Sequence, residues 1–177
     1  MRKIKNEELG RPTLDEYRKM SKLRLTVVLD DVRSLNNVGS VFRTCDAFLV
    51  ERILLCGITG KPPHKDIYKT ALGASESVTW QYYAKAVDGI KRLMDEGYKV
   101  ISIEQVEGNM ALQDFPVSKD EKYALVFGNE MKGVNQEVVN LCDHYIEIPQ
   151  YGTKHSLNIA VSAGIVIWHF FNRMSPL

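Results

Sequence analysis

Several features are missing from this sequence, and their absence excludes whole classes of protein. The N-terminal residues Met1–Glu8 contain no apolar stretch of the kind found in a signal peptide. The longest apolar stretch, Leu157–Phe171, is interrupted by Asn158 and His169 and is shorter than the ~18 residues that span a membrane. The 177 residues contain no repeat or low-complexity segment. We therefore expect an ordinary globular protein located in the cytoplasm.

Cysteine is scarce, and the spacing of the three cysteines does not indicate a metal site or a redox motif. Cys45, Cys56 and Cys142 are odd in number, lie among apolar neighbours and form no C-x-x-C or Cys/His ligand pattern. We interpret them as reduced core thiols, in preference to a disulfide or a metal site.

The commonest signatures of α/β enzymes are also missing. No G-x-G-x-x-G, P-loop or G-x-S-x-G motif follows any strand-like segment. His155 and Ser156 resemble a base and a nucleophile, but adjacent residues rarely face each other productively. The sequence therefore argues against dinucleotide-binding, P-loop and serine hydrolase functions.

The net charge of +1 conceals an uneven distribution. Residues 1–24 carry eight basic and four acidic side chains, whereas the remainder carries 15 basic and 18 acidic ones. We expect a basic N-terminal arm over residues 1–24, with a short helix at 13–23, followed by one domain over residues 25–177. Such an arm suits a polyanionic partner, and a solvated amphipathic helix explains the same charges equally well.

From residue 25 onward, β-branched apolar runs alternate with amphipathic segments. Continuous apolar runs of this kind are typical of strands covered on both faces, so the pattern predicts an α/β fold with a mainly parallel sheet and helices on both faces. Long connections are expected at 57–77 and 105–122. The predicted strands are Leu25–Leu29, Arg52–Cys56, Val78–Tyr83, Lys99–Glu104, Tyr123–Phe127 and Tyr145–Ile148, and the predicted helices are Val38–Leu49, Ala84–Glu96, Val134–Cys142 and Ser156–Phe171.

Three short segments lie where a strand-like run changes to a helix-like run, which is where ligands and catalytic groups collect in α/β folds. Each of their polar residues also has a purely structural explanation. Asn37 and Ser156 are suitable N-caps, Glu130 suits a helix N-terminus, and Arg43 suits an exposed helix face. Asn158 is harder to explain, because it is flanked by apolar residues. The segments are Asn37-Val-Gly-Ser-Val-Phe-Arg43, Val126-Phe-Gly-Asn-Glu-Met-Lys-Gly-Val134 and Ile148-Pro-Gln-Tyr-Gly-Thr-Lys-His-Ser-Leu-Asn-Ile159.

In order, spacing and residue type, these segments resemble the SpoU-type (TrmH-like) RNA ribose 2′-O-methyltransferases of the SPOUT superfamily. The resemblance covers about Leu25 to Phe171. It implies a C-terminal trefoil knot, S-adenosylmethionine as cofactor, an RNA substrate and a homodimer. A knot is not an outcome that periodicity predicts, since general topology rules disfavour it.

The resemblance also assigns residues to the site. It implies catalytic roles for Asn37, Arg43, Glu130, Ser156 and Asn158. For the cofactor it implies Glu104, Gly128, Asn129, Ile148 and Leu157, and for RNA phosphates the surrounding loops offer Lys61, Lys65, Lys69, Lys132 and Lys154.

The reaction implied is transfer of a methyl group to a ribose 2′-hydroxyl. Because a guanidinium is effectively always protonated, our hypothesis is that Arg43 holds a phosphate and polarises the hydroxyl, while a phosphate oxygen or water takes the proton. A short arm without an added RNA-binding domain favours tRNA over rRNA as substrate. Methylation of an rRNA, methylation of a base nitrogen, and a catalytically silent RNA-binding dimer remain as alternatives.

Overall fold

The computed structural model describes residues 1–175, which form one seven-stranded sheet flanked by helices. Every pair of neighbouring strands is parallel, and the spatial order is β3-β2-β1-β6-β4-β7-β5. The predicted mainly parallel sheet is therefore confirmed. The strands are β1 (Leu23–Asp30), β2 (Val50–Cys56), β3 (Thr79–Tyr83), β4 (Tyr98–Ile103), β5 (Met110–Ala111), β6 (Lys122–Phe127) and β7 (His144–Glu147).

Helices connect most of the strands. Turns of 3-10 helix occur at Asn6–Leu9 and Leu112–Asp114. The α-helices are α1 (Leu14–Lys19), α2 (Leu35–Ala47), α3 (Lys65–Ala71), α4 (Ala74–Ser77), α5 (Ala86–Asp95), α6 (Gln136–Val139) and α7 (Ile159–Met174).

The sheet has an apolar core on each face, because its central strands are apolar at successive positions. In β1, Val27 belongs to the core shared with α2 and α7, and the next residue, Val28, belongs to the core shared with α5 and α6. Phe170 of α7 is fully buried in the first core, and Ile90 of α5 is fully buried in the second. Helices therefore cover both faces, as predicted, whereas the trefoil knot stays a prediction.

Helix α6 is much shorter than the predicted Val134–Cys142. Asn135 begins it by accepting a hydrogen bond from the backbone N–H of Glu137 (2.9 Å). It ends after one turn, and the Tyr145 hydroxyl then donates to the Val139 carbonyl (3.0 Å). The predicted length rested on the spacing of apolar residues alone, and a side-chain hydrogen bond of this kind does not appear in that spacing.

The two predicted long connections contain regular structure. Residues 57–77 include α3 and α4, and residues 105–122 include β5 and a 3-10 turn. Helix α3 lies directly against α2, where the Thr70 hydroxyl donates to the Asn36 carbonyl (2.9 Å). These helices have too few residues to show a helical repeat, so their sequences resemble loops.

The N-terminal arm contacts the body through α1. Helix α1 begins with a capping box in which Thr13 and Glu16 bond each other's backbone N–H groups. Tyr17 is buried, whereas Leu14 and Met20 are exposed, and α1 is shorter than the predicted helix at 13–23. The Arg18 guanidinium donates to the Glu76 carbonyl (3.0 Å). The arm is thus anchored at α1, and the division into an arm and a domain stays a prediction.

All three cysteines are buried and free, as expected of core thiols. Burial raises the pKa of the Cys56 and Cys142 thiols to about 12. Within residues 1–175 there is no helix with the length and apolarity needed to cross a membrane.

The contact between α2 and α3 yields a stability prediction. A Cβ at Gly39 would lie 2.1 Å from Thr70 Oγ1 and 2.3 Å from the Ile67 carbonyl oxygen. Gly39→Ala is therefore expected to lower the free energy of unfolding by ~1–3 kcal/mol, because the helices must separate. Urea denaturation measures this. Gly152→Ala, where a Cβ meets no atom within 4 Å, is the control and should not destabilise the protein; equal effects of both substitutions would contradict the packing argument.

Candidate active site

A cavity of about 540 Å³ opens where β4, β6 and β7 end. Its volume falls in the roughly 300–1,000 Å³ range of small-molecule sites. The loops after these strands and the segment before α7 form its walls. The lining includes every residue predicted to contact the cofactor, namely Glu104, Gly128, Asn129, Ile148 and Leu157, together with Glu130, Ser156 and Asn158.

A chain of hydrogen bonds joins the three segments at this cavity. Asn37 Nδ2 donates to Glu130 Oε1 (3.2 Å), and Asn158 Nδ2 donates to Asn37 Oδ1 (3.2 Å). Because a carboxylate only accepts hydrogen bonds, Glu130 sets the orientation of the Asn37 amide, which in turn sets that of Asn158. Side chains more than 90 residues apart in sequence thus form one ordered network.

Glu130 is the acceptor at the start of this network. Its carboxylate also accepts hydrogen bonds from the backbone N–H groups of Arg33 (3.0 Å) and Ser34 (2.9 Å), just before α2. Partial burial acts to raise the pKa of Glu130, but these hydrogen bonds favour the charged form and outweigh it. The pKa of Glu130 is therefore held below its ordinary value, and the group is a carboxylate at neutral pH.

Two predicted caps are wrong. Helix α2 begins after Ser34, whose hydroxyl accepts from the Asn37 N–H (3.3 Å), so Asn37 lies inside the helix and its amide is available to the network. Helix α7 begins after Asn158, which accepts from the Ala160 N–H (2.8 Å), and Ser156 lies two residues earlier in an exposed loop. Each helix start offers two residues that can act as N-cap, Ser34 and Asn37 for α2 and Ser156 and Asn158 for α7, and the local sequence does not decide between the two.

Two glycines allow the cavity walls to come together. A Cβ at Gly128 would lie 2.1 Å from the Val134 nitrogen, so only glycine can end β6 this close to the following loop. Gly133 has φ +69°, and a Cβ there would lie 2.1 Å from Glu104 Oε2. The same Glu104 oxygen accepts from the Val134 N–H (3.0 Å). Glu104 therefore ties the loop after β4 to the loop after β6.

Asn129 shapes the loop between these glycines. Its Oδ1 accepts from the N–H groups of Met131 (2.9 Å) and Lys132 (3.1 Å), and its Nδ2 donates to the Asp31 carbonyl (2.8 Å). Backbone hydrogen bonds in both directions between Asn129 and Gly133 close the turn. Both ends of the Asn129 amide thus help to hold this loop against the end of β1.

Arg43 lies apart from the other candidate residues. It lines a second cavity of about 500 Å³ together with Lys69, Thr70 and Phe48, and it is absent from the lining of the first. Six residues of α-helix separate it from Asn37, which places it about 9 Å farther along α2. The structure therefore brings four of the five predicted catalytic residues together and leaves Arg43 on a neighbouring surface.

The predicted phosphate-binding lysines are spread over this edge of the molecule. Lys132 lines the first cavity and Lys69 the second. Lys61 Nζ lies 3.8 Å from the centroid of the Tyr82 ring. Lys65 opens α3, and Lys154 is exposed in the loop before α7.

Sequence reasoning missed two contributors to the site. Gln105 lines the first cavity, and its Nε2 donates to the His155 carbonyl (3.2 Å), which holds the loop before α7. Arg33 supplies a backbone N–H to Glu130. Gln105 could have been predicted, because it directly follows the predicted Glu104. Arg33 could not, because a backbone N–H donor does not depend on the residue type.

Comparison with known proteins adds the family. The family model of the SpoU rRNA Methylase family matches residues 24–168. This chain belongs to that family. The SpoU match includes every candidate residue, and the family resemblance predicted from the sequence is confirmed.

Curated SpoU relatives are similar to this chain in sequence, and solved ones are also similar in fold. A tRNA (guanosine(18)-2′-O)-methyltransferase of Borreliella burgdorferi is 29% identical over 150 residues, covering 85% of this chain and 67% of its own. The TrmH/SpoU tRNA modifying enzyme of A. aeolicus has a TM-score of 0.80 at 25% identity, over 90% of this chain and 80% of that one. An AdoMet-bound rRNA methyltransferase of Sinorhizobium meliloti has a TM-score of 0.78 at 26% identity, over 87% and 61%. This SpoU chain spans about two thirds of the length of the curated relatives that it matches.

The lowered pKa of Glu130 yields a pH-dependent prediction for this SpoU protein. The stabilisation is complete above the unfolded pKa of ~4.3 and is lost as the pH falls through the lower folded value. Glu130→Gln should therefore reduce the free energy of unfolding at neutral pH by up to ~1 kcal/mol, since the group is exposed. Urea denaturation at neutral pH and at about pH 3 measures the difference, which should shrink in acid.

Glu107→Gln, at an exposed position in the loop after β4, is the matched control and should change stability little at either pH. A Glu130→Gln effect that is the same at both pH values would contradict the carboxylate's role in joining the loops.

Proposed function

We propose that this SpoU family member transfers a methyl group from S-adenosylmethionine to a ribose 2′-hydroxyl of RNA, with tRNA favoured over rRNA. The observation that carries the proposal is the Glu130–Asn37–Asn158 network at the edge of a ligand-sized cavity. The names of the relatives support it, since one is a tRNA 2′-O-methyltransferase and another is an rRNA methyltransferase with AdoMet bound.

The cavity suits the cofactor in size and in chemistry. Gly128 lets the loop after β6 fold back against the end of the strand and so form one wall of the cavity, and Ile148 and Leu157 add apolar surface for an adenine ring. Glu104 and Asn129 keep the surrounding loops in place. When bound there, S-adenosylmethionine supplies a sulfonium methyl group that a hydroxyl can attack.

The polar network positions the nucleophile. With both amide orientations set by Glu130, Asn37 and Asn158 present fixed donors and acceptors beside the exposed Ser156 hydroxyl. Fixed groups of this kind hold a ribose in one orientation and reduce the entropic cost of reaching the transition state. We assign Ser156 and Asn158 to contacts with the ribose, and Glu130 and Asn37 to the positioning of Asn158.

Arg43 binds the phosphate next to the target ribose and polarises the 2′-hydroxyl. Its guanidinium stays protonated, so the hydroxyl proton passes to a phosphate oxygen or to water. Lys69 lines the same cavity and adds a second cation for the RNA backbone. Because this cavity is separate from the first, the Arg43 that polarises a hydroxyl held in the first cavity is supplied by the second subunit of a dimer.

We assign the outer face of α7 to contact with a second copy of the chain. The inner face of this helix is buried, yet Val161, Ile165 and Trp168 form an apolar stripe on the outer face at positions i, i+4 and i+7. A helix that is apolar on both faces is normally covered on both. Trp168 also contacts Phe48, with ring centroids 5.4 Å apart, and Phe48 lines the Arg43 cavity. A homodimer formed through this stripe places Arg43 at the edge of the interface.

The methyltransferase proposal predicts transfer of labelled methyl from S-adenosylmethionine to unmodified bulk tRNA. Arg43→Ala should reduce the rate at least ~100-fold, because phosphate binding and hydroxyl polarisation are lost together. The measurement is acid-precipitable label from separate incubations with tRNA and rRNA. Label in rRNA alone would contradict the tRNA preference, and cofactor binding without transfer to either RNA would favour a silent RNA-binding dimer.

Arg43→Lys separates positioning from base catalysis in the same assay. Lysine keeps the charge but cannot bind a phosphate through two parallel hydrogen bonds, so its rate should fall well below that of the native chain. Full kcat with a pH profile shifted to alkaline values would contradict the positioning role.

The dimer proposal predicts that Trp168→Glu is a monomer. A buried glutamate without a partner is costly at an apolar interface. Because Trp168 is 51% exposed in the single chain and its only ring contacts within residues 1–175 are with Phe48 and Phe171, the substitution should weaken the interface more than the fold. Sedimentation velocity should give twice the 20.1 kDa chain mass for the native protein and for the control Met94→Glu on α5. A monomeric native protein, or a dimeric Trp168→Glu variant, would contradict the proposed interface.

A further inference from the structure

Two large apolar side chains in the loops around the first cavity are exposed to solvent. Apart from the N-terminal Met1, Tyr151 (97% exposed) and Met131 (82%) are the most exposed large hydrophobic residues among residues 1–175. Met131 lines the cavity, and Tyr151 directly follows Gln150, which also lines it. Two separate loops thus each carry their most exposed apolar residue among, or next in sequence to, the residues that line this cavity.

The exposure of Met131 is built into the backbone of its loop. Asn129 Oδ1 accepts from the Met131 N–H (2.9 Å), and the hydrogen bonds between Asn129 and Gly133 close the turn on both sides of it. The methionine therefore stands at the tip of a rigid five-residue turn. A flexible, polarisable side chain held in this way is suited to contact with a flat aromatic ligand.

Tyr151 belongs to the loop that carries Ser156. The far end of this loop is held by the hydrogen bond from Gln105 Nε2 to the His155 carbonyl (3.2 Å). Tyr151 therefore lies five residues from the hydroxyl that we assign to the ribose. The base attached to that ribose must extend away from the reacting 2′-hydroxyl and past the surrounding loops.

The charges around these residues favour RNA over a second protein chain. Lys132 follows Met131, and Lys154 lies three residues after Tyr151. Apolar or aromatic side chains interleaved with cations are typical of single-stranded RNA sites, where bases stack and phosphates pair with lysine. In contrast, the stripe that we assign to the dimer, Val161–Ile165–Trp168, contains no lysine.

We propose that Tyr151 and Met131 hold the base of the nucleotide whose ribose is methylated, with Tyr151 stacking on the base and Met131 contacting it. The inference rests on the proposed methyltransferase function and extends it to recognition of the substrate. It makes the target an unpaired or flipped-out nucleotide, because a base within a helix has no free face for stacking.

Steady-state methyl transfer to unmodified bulk tRNA, at saturating S-adenosylmethionine, tests this inference. If the native chain methylates only rRNA, rRNA is the substrate used. Tyr151→Ala should raise KM for the RNA roughly 5- to 100-fold with a smaller change in kcat, as expected for loss of one base stack. Tyr151→Phe keeps the ring and should restore KM to within about twofold of the native value.

Met131→Ala should raise KM for the RNA by a smaller factor, whereas the control Met94→Ala, on α5, should leave it unchanged. The Kd for S-adenosylmethionine, measured by calorimetry, should be the same in all variants. An unchanged KM in Tyr151→Ala, or loss of the dimer in that variant, would overturn the inference. Failure of the native chain to methylate either RNA would overturn the proposed function on which it rests.

Discussion

The site depends on one geometric constraint, which is that all seven strands run parallel. The carboxyl ends of β1, β4, β6 and β7 therefore meet at one edge of the sheet, and the loops after them must share that edge. Loops so close together need acceptors for their backbone N–H groups. Glu104 and Glu130 meet this need, since each carboxylate accepts hydrogen bonds from a loop that follows a different strand. The two carboxylates thus convert a shared edge into a cavity with fixed walls.

The fold could be predicted from sequence wherever one local pattern decided the outcome. The six predicted runs all became strands, with ends displaced by at most two residues, and the central ones are apolar throughout because they are covered on both faces. The predictions were wrong where contacts outside the local pattern decide. Helix α6 ends where the N–H groups of Leu141 and Cys142 bond to carbonyls three residues back and the Tyr145 hydroxyl bonds to the Val139 carbonyl. Helix α3 packs against α2 at Gly39, where a glycine in a helix looks unfavourable in the sequence. Strand β5 has two residues and no pattern of its own.

The sequence predicted which residues lie near the cavity better than it predicted how their side chains are arranged. Of the residues that family resemblance selected for catalysis and cofactor binding, all but Asn37 and Arg43 line one cavity, and Asn37 joins them through its hydrogen bonds, while their roles stay predictions. The resemblance did not reveal that Ser34 rather than Asn37 caps α2, that Asn158 rather than Ser156 caps α7, or that Arg43 lies in a separate cavity. These outcomes depend on where a helix begins and which way its side chains point. A shift of two residues along a helix rotates a side chain by about 200°, which is enough to change its role.

The chemical identity of the methylated nucleoside tests the central claim most directly. RNA incubated with the protein and S-adenosylmethionine is digested to nucleosides, and the position of the added methyl group is determined by mass spectrometry. The account predicts a 2′-O-methylated nucleoside, in which the methyl group stays with the ribose fragment when the base is lost. A methyl group that leaves with the base would show that the cavity serves attack by a base atom, and the roles given to Ser156 and Asn158 would be wrong.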